Sequence, residues 1–199
     1  IQALELTSFI LQVCHVVVVV LDWFVDINLV RFLQNAEMLK PSLSLAESGV
    51  IPEHYPQVIF VLNKAGREDF LPGRISSFSD VLSKLMAKSK LLTTGLCNSG
   101  SGKKSDQLAQ FVSSELNLCL WPEVNFWLKH KYPEIKGSFK GHPDLEVLVE
   151  DLRDQIMACS RHCLSPSISD EKSWLVYAAR MWDCVRKSLL ISEYGRLLK

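Results

Sequence analysis

The chain has no surplus of charge. Its 199 residues carry 22 Lys and Arg against 22 Asp and Glu, so no net field draws it toward a phosphate backbone or an anionic lipid surface. Direct nucleic-acid binding is therefore disfavoured, and no basic, aromatic sheet surface of the kind that stacks RNA bases is legible. The basic residues that do gather, Arg180, Arg186, Lys187, Arg196 and Lys199, read as a solvated helix face. Long apolar runs are missing too. The most hydrophobic stretch, VVVVVL at 16–21, sits between His15 and Asp22 and is far short of the about 20 residues that cross a bilayer. It reads as a buried strand, and no membrane association is expected. No signal-peptide pattern opens the chain, and Ile1 in place of methionine leads to the expectation that it starts partway through a larger protein.

Cysteine is present without a framework. Cys14, Cys97, Cys119, Cys159, Cys163 and Cys184 fall in apolar or helical patterns at no disulfide-like spacing, which fits a reducing, cytoplasmic compartment. Cys159, His162 and Cys163 share one helix face, but no matching pair completes a four-ligand zinc site, so no metal site is assigned. A phosphate loop is absent as well. In NSGSGKKSD (98–106), Gly95 and Gly100 have the required separation, yet Ser101 stands where lysine must follow the second glycine for amides and ammonium to converge on phosphate. No Ser-His-Asp, paired-carboxylate or Cys-His constellation has persuasive spacing, and no catalytic residue is assigned.

What is present is alternation. Residues 1–11 have helical periodicity and run into the β-branched block Val13–Leu21, which is expected as a strand. Asp26 caps a helix carrying Ile27, Val30 and Leu33 that ends before Pro41. After a Ser- and Pro-rich loop come a strand at 57–62, a helix following Pro72-Gly73 with Phe78, Leu82 and Met86 on one face, and a third strand expected at Leu91–Cys97. ELNLCLWP (115–122) reads as a further strand or a buried connector, and 123–142 as loop. Two helices close the chain. One has the stripe Leu145, Leu148, Val149, Leu152, Ile156, Cys159; the other starts near Ser169-Asp170 and bears Trp174, Tyr177, Ala178, Met181, Trp182, Val185 and Leu189. That second stripe, rich in aromatics, reads first as packing against its own domain, and second as a partner surface.

Strands alternating with helices imply an α/β fold with a mostly parallel sheet, residues 1–140 forming the α/β portion and 141–199 closing helices packed on it. Right-handed crossovers bring the loops after Leu21, Leu62 and Cys97 to the C-terminal edge, where open sheets bind ligands. Fewer strands are visible than the about five of a typical doubly wound sheet, so the remainder is expected upstream. On that edge the stretch VIFVLNKAGREDF (58–70) stops abruptly at Asn63-Lys64, and Trp23 and Phe24 follow the first strand.

The words CHVVVVVLDWFVDINLVRFLQNAEMLKPS, NKAGREDF, SSELNLCLWP, GHPDLEVLVEDLRDQIM and YAARMWDCVRKS resemble, in order, the SMG nine family of nonsense-mediated mRNA decay factors. The resemblance implies a three-layer, GTPase-like domain of the P-loop NTPase type, lacking here its N-terminal part and its phosphate loop. It implies a regulatory, non-catalytic subunit that pairs with SMG eight and restrains the SMG one protein kinase; the alternative is an active GTPase or ATPase switch. The implied ligand is a purine nucleotide, GDP/GTP or ATP, with Mg reached only through residues outside this chain. In the N-K-x-D base loop of GTPase-like domains, Asn63 and Lys64 match the first two positions, and Gly66 replaces the guanine-reading acid unless Glu68 or Asp69 swings in, which requires the loop to bulge by two or three residues. Cys97 and Asn98 are the further candidates for contact with the base.

Overall fold

The computed structural model describes residues 2–22, 24–41, 54–94, 116–123, 145–159, 161, 164 and 168–197. Helix α1 (Gln2–Val13) leads into strand β1 (Val16–Leu21). Then follow α2 (Ile27–Met38), β2 (Gln57–Ala65), a 3-10 turn (Arg67–Phe70), α3 (Pro72–Met86), β3 (Leu118–Pro122), α4 (Leu145–Ala158), α5 (Glu171–Arg186) and α6 (Leu189–Leu197). None of these helices is long and apolar enough to cross a membrane.

Val13 closes α1 instead of opening β1. Its side chain is buried with Tyr177, Ala178 and Met181, and this packing outweighs the modest helix penalty of a β-branched residue. The cap expected at Asp26 is present: its side chain accepts from the Asn28 amide at 2.8 Å, satisfying one of the orphan donors of α2.

The sheet has the order β1-β2-β3, all parallel. Its register pairs Val19 with Phe60 and Phe60 with Leu118, so alternation assigns Val19, Phe60 and Leu118 to one face. That face meets Val30, Leu33 and Ala36 of α2 and Ile75, Phe78, Leu82 and Met86 of α3 in one buried cluster. Each such large side chain contributes about 1.5–3 kcal/mol by leaving water. On the opposite face Ile59, Val61 and Cys119 pack with Leu152 and Ile156 of α4 and with Cys159. Helices thus lie on both faces. The α4 cluster also takes in Val16 at the start of β1, whereas Val18 and Val20, which share the face of Ile59 and Val61, stay 39% and 54% exposed.

Of the span Leu91–Cys97, expected as the third strand, residues 91–94 are described and form no strand, and 95–97 lie outside the described residues. Among the described residues Leu92 pairs there as an isolated bridge to Gln57, and the strand beside β2 is Leu118–Pro122. Asn117 explains the arrangement. Only 1% exposed, it donates its backbone N–H to Thr93 O at 2.7 Å, accepts from Phe60 N at 2.8 Å, and donates its side-chain amide to Gln57 Oε1 and Val58 O, each at 3.2 Å. The edge of β2 is therefore shared, first by Leu92 and then by β3.

The closing stripe is broken into two helices. After Arg186 the chain turns, and the Ser188 hydroxyl accepts from the Ile191 amide at 3.4 Å to start α6, so Leu189 faces water at 79% exposure. Val185 and Ile191 both enter the main core, and Asn35 of α2 donates to the Tyr194 hydroxyl at 3.0 Å. The aromatic stripe of α5 packs on its own domain. Trp182 meets Phe9 of α1 edge-on with centroids 5.3 Å apart, and the Trp174 indole donates to Val13 O at 3.2 Å. At its start, Asp170 and Ser173 form a capping box.

Candidate functional site

Strand β2 runs past Leu62, so Asn63 and Lys64 stand in the strand tip and not in the loop expected from the sequence. The tip is irregular. Between the pairs Leu62–Leu120 and Ala65–Pro122, the two residues Asn63 and Lys64 oppose only Trp121, which makes this a β-bulge. Lys64 adopts the left-handed conformation, φ 55°, at a cost of about 1–2 kcal/mol for a residue with a Cβ. Bulges re-aim side chains at sheet edges and beside active sites. Here both side chains turn to one acid: Asp22 Oδ1 accepts from Asn63 Nδ2 at 3.3 Å and Oδ2 from Lys64 Nζ at 3.3 Å.

Asp22 follows β1 directly, and the parallel pairing brings it beside the tip of β2. In the sequence it stands only as the charge that ends an apolar run. The signal that could have found it is the same as for Asn63: a polar residue immediately after a buried parallel strand. The ion pair of Lys64 and Asp22 is 60% and 67% exposed, so it stabilises the fold by only about 0–1 kcal/mol. Its effect is to orient.

Gly66 stands at the fourth position of the N-K-x-D pattern. The Asp69 carboxylate folds back and accepts from the Gly66 amide at 2.8 Å, and a Cβ placed on Gly66 would lie 3.5 Å from Asp69 Oδ2. The 3-10 turn Arg67–Phe70 brings that carboxylate back to the amide. Glu68 stays exposed.

Beneath this edge lies a notch of about 10 Å³ lined by Phe24, Leu62, Asp69, Arg74, Phe78 and Leu120, room for about one water molecule. A purine does not fit inside it. Phe24 packs edge-on against Phe78 at 5.1 Å, which anchors the segment after β1. The third part of the edge begins at Glu123, whose amide donates to Ala65 O at 3.1 Å. Cys97 and Asn98, expected there, lie outside the described residues, as do Trp23, His162 and Cys163. Among the described residues no group of three His, Cys, Asp or Glu could hold a metal. Burial pushes the Cys159 thiol above its ordinary value, against a smaller lowering by Arg161.

No protein-family model matches the chain. It is 42% identical over 222 residues, covering 99% of its length, to the nonsense-mediated mRNA decay factor SMG9 of Xenopus tropicalis. The identities are 43% with the protein of that name from Xenopus laevis and 40% over 98% of the chain with that from Salmo salar. The chain spans 42–43% of the length of these relatives. Over nearly all its residues, then, this chain is homologous to the nonsense-mediated mRNA decay factors named SMG9.

Proposed function

We propose that this chain is the nucleotide-holding portion of a regulatory, non-catalytic subunit that acts in nonsense-mediated mRNA decay in the cytoplasm, within the SMG one kinase complex, where its GTPase-like domain pairs with SMG eight. The observation that carries the reading is the bulge at the tip of β2, which gathers Asn63 and Lys64 under Asp22 at the ligand-binding edge of a parallel sheet. The ligand is a purine nucleotide, GDP/GTP or ATP. Its base lies on the rim, with the Asn63 amide at the base edge and the Lys64 stem along the ring face. Asp69 supplies the carboxylate that position 66 lacks, which favours guanine through its N–H donors. Phosphates and Mg are held by residues outside this chain. The non-catalytic reading rests on the lack of any nucleophile-and-base constellation in the sequence.

The test is equilibrium titration of labelled GDP, GTP, ADP and ATP into the full-length protein, with phosphate release followed in parallel. Asn63→Ala weakens nucleotide binding by about tenfold or more, the loss of one well-placed hydrogen bond to a base, and leaves the fold intact. Unchanged affinity removes Asn63 from the site, and turnover strongly stimulated by a partner subunit overturns the non-catalytic reading.

A further inference from the structure

A second site lies where α1, α5 and α6 meet. A cleft of about 330 Å³ is lined by Glu5, Arg186, Ser188, Ser192, Gly195 and Arg196, with Ile191 at its base, and it shares no residue with the Asp22, Asn63 and Lys64 cluster. Positions 188, 192, 195 and 196 recur at i, i+4, i+7 and i+8, so α6 presents them on one face. Three of the four are small, and the two arginines complete the lining. Ile191, 2% exposed in the main core, holds that face in place. Arg186 ends α5 and Arg196 lies in the last turn of α6. Neither makes an ion pair or hydrogen bond among the described residues, and Glu5, though it lines the same cleft, pairs with neither.

We infer that this cleft, where Arg186 and Arg196 flank Ser188 and Ser192, is a binding site for a phosphomonoester, such as a phosphorylated serine or a small phosphate. Two guanidinium forks offer planar, bidentate pairing to oxyanions, and two hydroxyls add donors. That set exceeds what the two oxygens of a carboxylate use and suits the three terminal oxygens of a phosphomonoester. The volume falls in the range of about 300–1,000 Å³ typical of ligand pockets, enough for a phosphoseryl residue and not only its phosphate. Glu5 sets the affinity: the lining charge is one positive, and a carboxylate in the lining opposes the anion.

The experiment titrates the full chain with a phosphoserine peptide, its unphosphorylated counterpart and inorganic phosphate, by calorimetry at low salt. The phosphopeptide binds and the unphosphorylated one does not. The double variant Arg186→Gln, Arg196→Gln weakens binding by about tenfold or more, as expected for the loss of charge-assisted hydrogen bonds, while Glu5→Gln strengthens it and Asn63→Ala leaves it unchanged. Inorganic phosphate binding as tightly as the peptide identifies a free phosphate as the ligand, and a peptide preference identifies a phosphorylated protein segment; both sustain the site. No binding of either probe at millimolar concentration, or binding indifferent to the arginine and Glu5 variants, overturns it.

Discussion

Lys64 reaches Asp22 across the tips of β2 and β1, Nζ to Oδ2 at 3.3 Å, from a backbone held at φ 55°. The exposed pair offers about 0–1 kcal/mol, and the left-handed backbone costs about 1–2 kcal/mol. The lysine is therefore not placed for stability. Strain retained at such a position is a mark of function. Lys64→Gly leaves the urea-unfolding free energy within about 1 kcal/mol of the parent, because relieved strain offsets the added freedom of the unfolded chain. Nucleotide affinity falls in the same variant. Asp22→Asn also costs less than about 1 kcal/mol.

Asn117 behaves in the opposite way. It is buried and ties β3 to both β2 and Thr93; Asn117→Ala keeps the backbone bonds but strands Gln57 Oε1 and Val58 O, which its side-chain amide served. Loss of about 1–3 kcal/mol is expected in urea unfolding, with reduced amide-exchange protection at Phe60.

The break between α5 and α6 is checked by two neighbours of similar chemistry. Ile191→Ala opens a cavity in the main core and costs about 2–5 kcal/mol. Leu189→Ala, at a side chain 79% exposed, stays within about 0.5 kcal/mol. A single continuous helix with Leu189 on its apolar face would give the reverse order.

The cap of α5 titrates in a defined direction. Hydrogen bonding by the Ser173 side chain, and then by its backbone amide, holds the Asp170 carboxyl below its ordinary value. A carboxylate lowered in the folded state adds stability that is complete above its unfolded value and is lost as pH falls through the folded one. Asn caps well and carries no charge. The wild type is therefore more stable than Asp170→Asn at neutral pH, and the gap closes in acid, as read from urea midpoints along a pH series.

Much of this was legible in the residues where local chemistry decides. Asp26 and Pro41 bound α2, Asp170 and Ser173 start α5, and the parallel α/β pattern follows from the order of helices and apolar runs. The errors fall where a distant contact decides. Leu91–Cys97 reads as a short apolar stretch, but beyond Leu92 the described edge of β2 is taken by Asn117, whose partners Gln57 and Val58 lie about sixty residues earlier. The stop after Arg186 has neither Gly nor Pro, and only the Ser188 hydroxyl marks it. At the site, Asn63 and Lys64 were visible because they end an apolar run. Asp22 was not, because its meaning depends on the pairing of β1 with β2, and Asp69 depends on a 3-10 turn that brings it back to Gly66.

Through Ile191 in the core and the hydrogen bond from Asn35 to Tyr194, α6 is keyed to α2 across more than 150 positions of chain. Motion of the two is thereby made common. A spectroscopic label at the exposed Glu193 senses melting of the whole body, not the loosening of a tail.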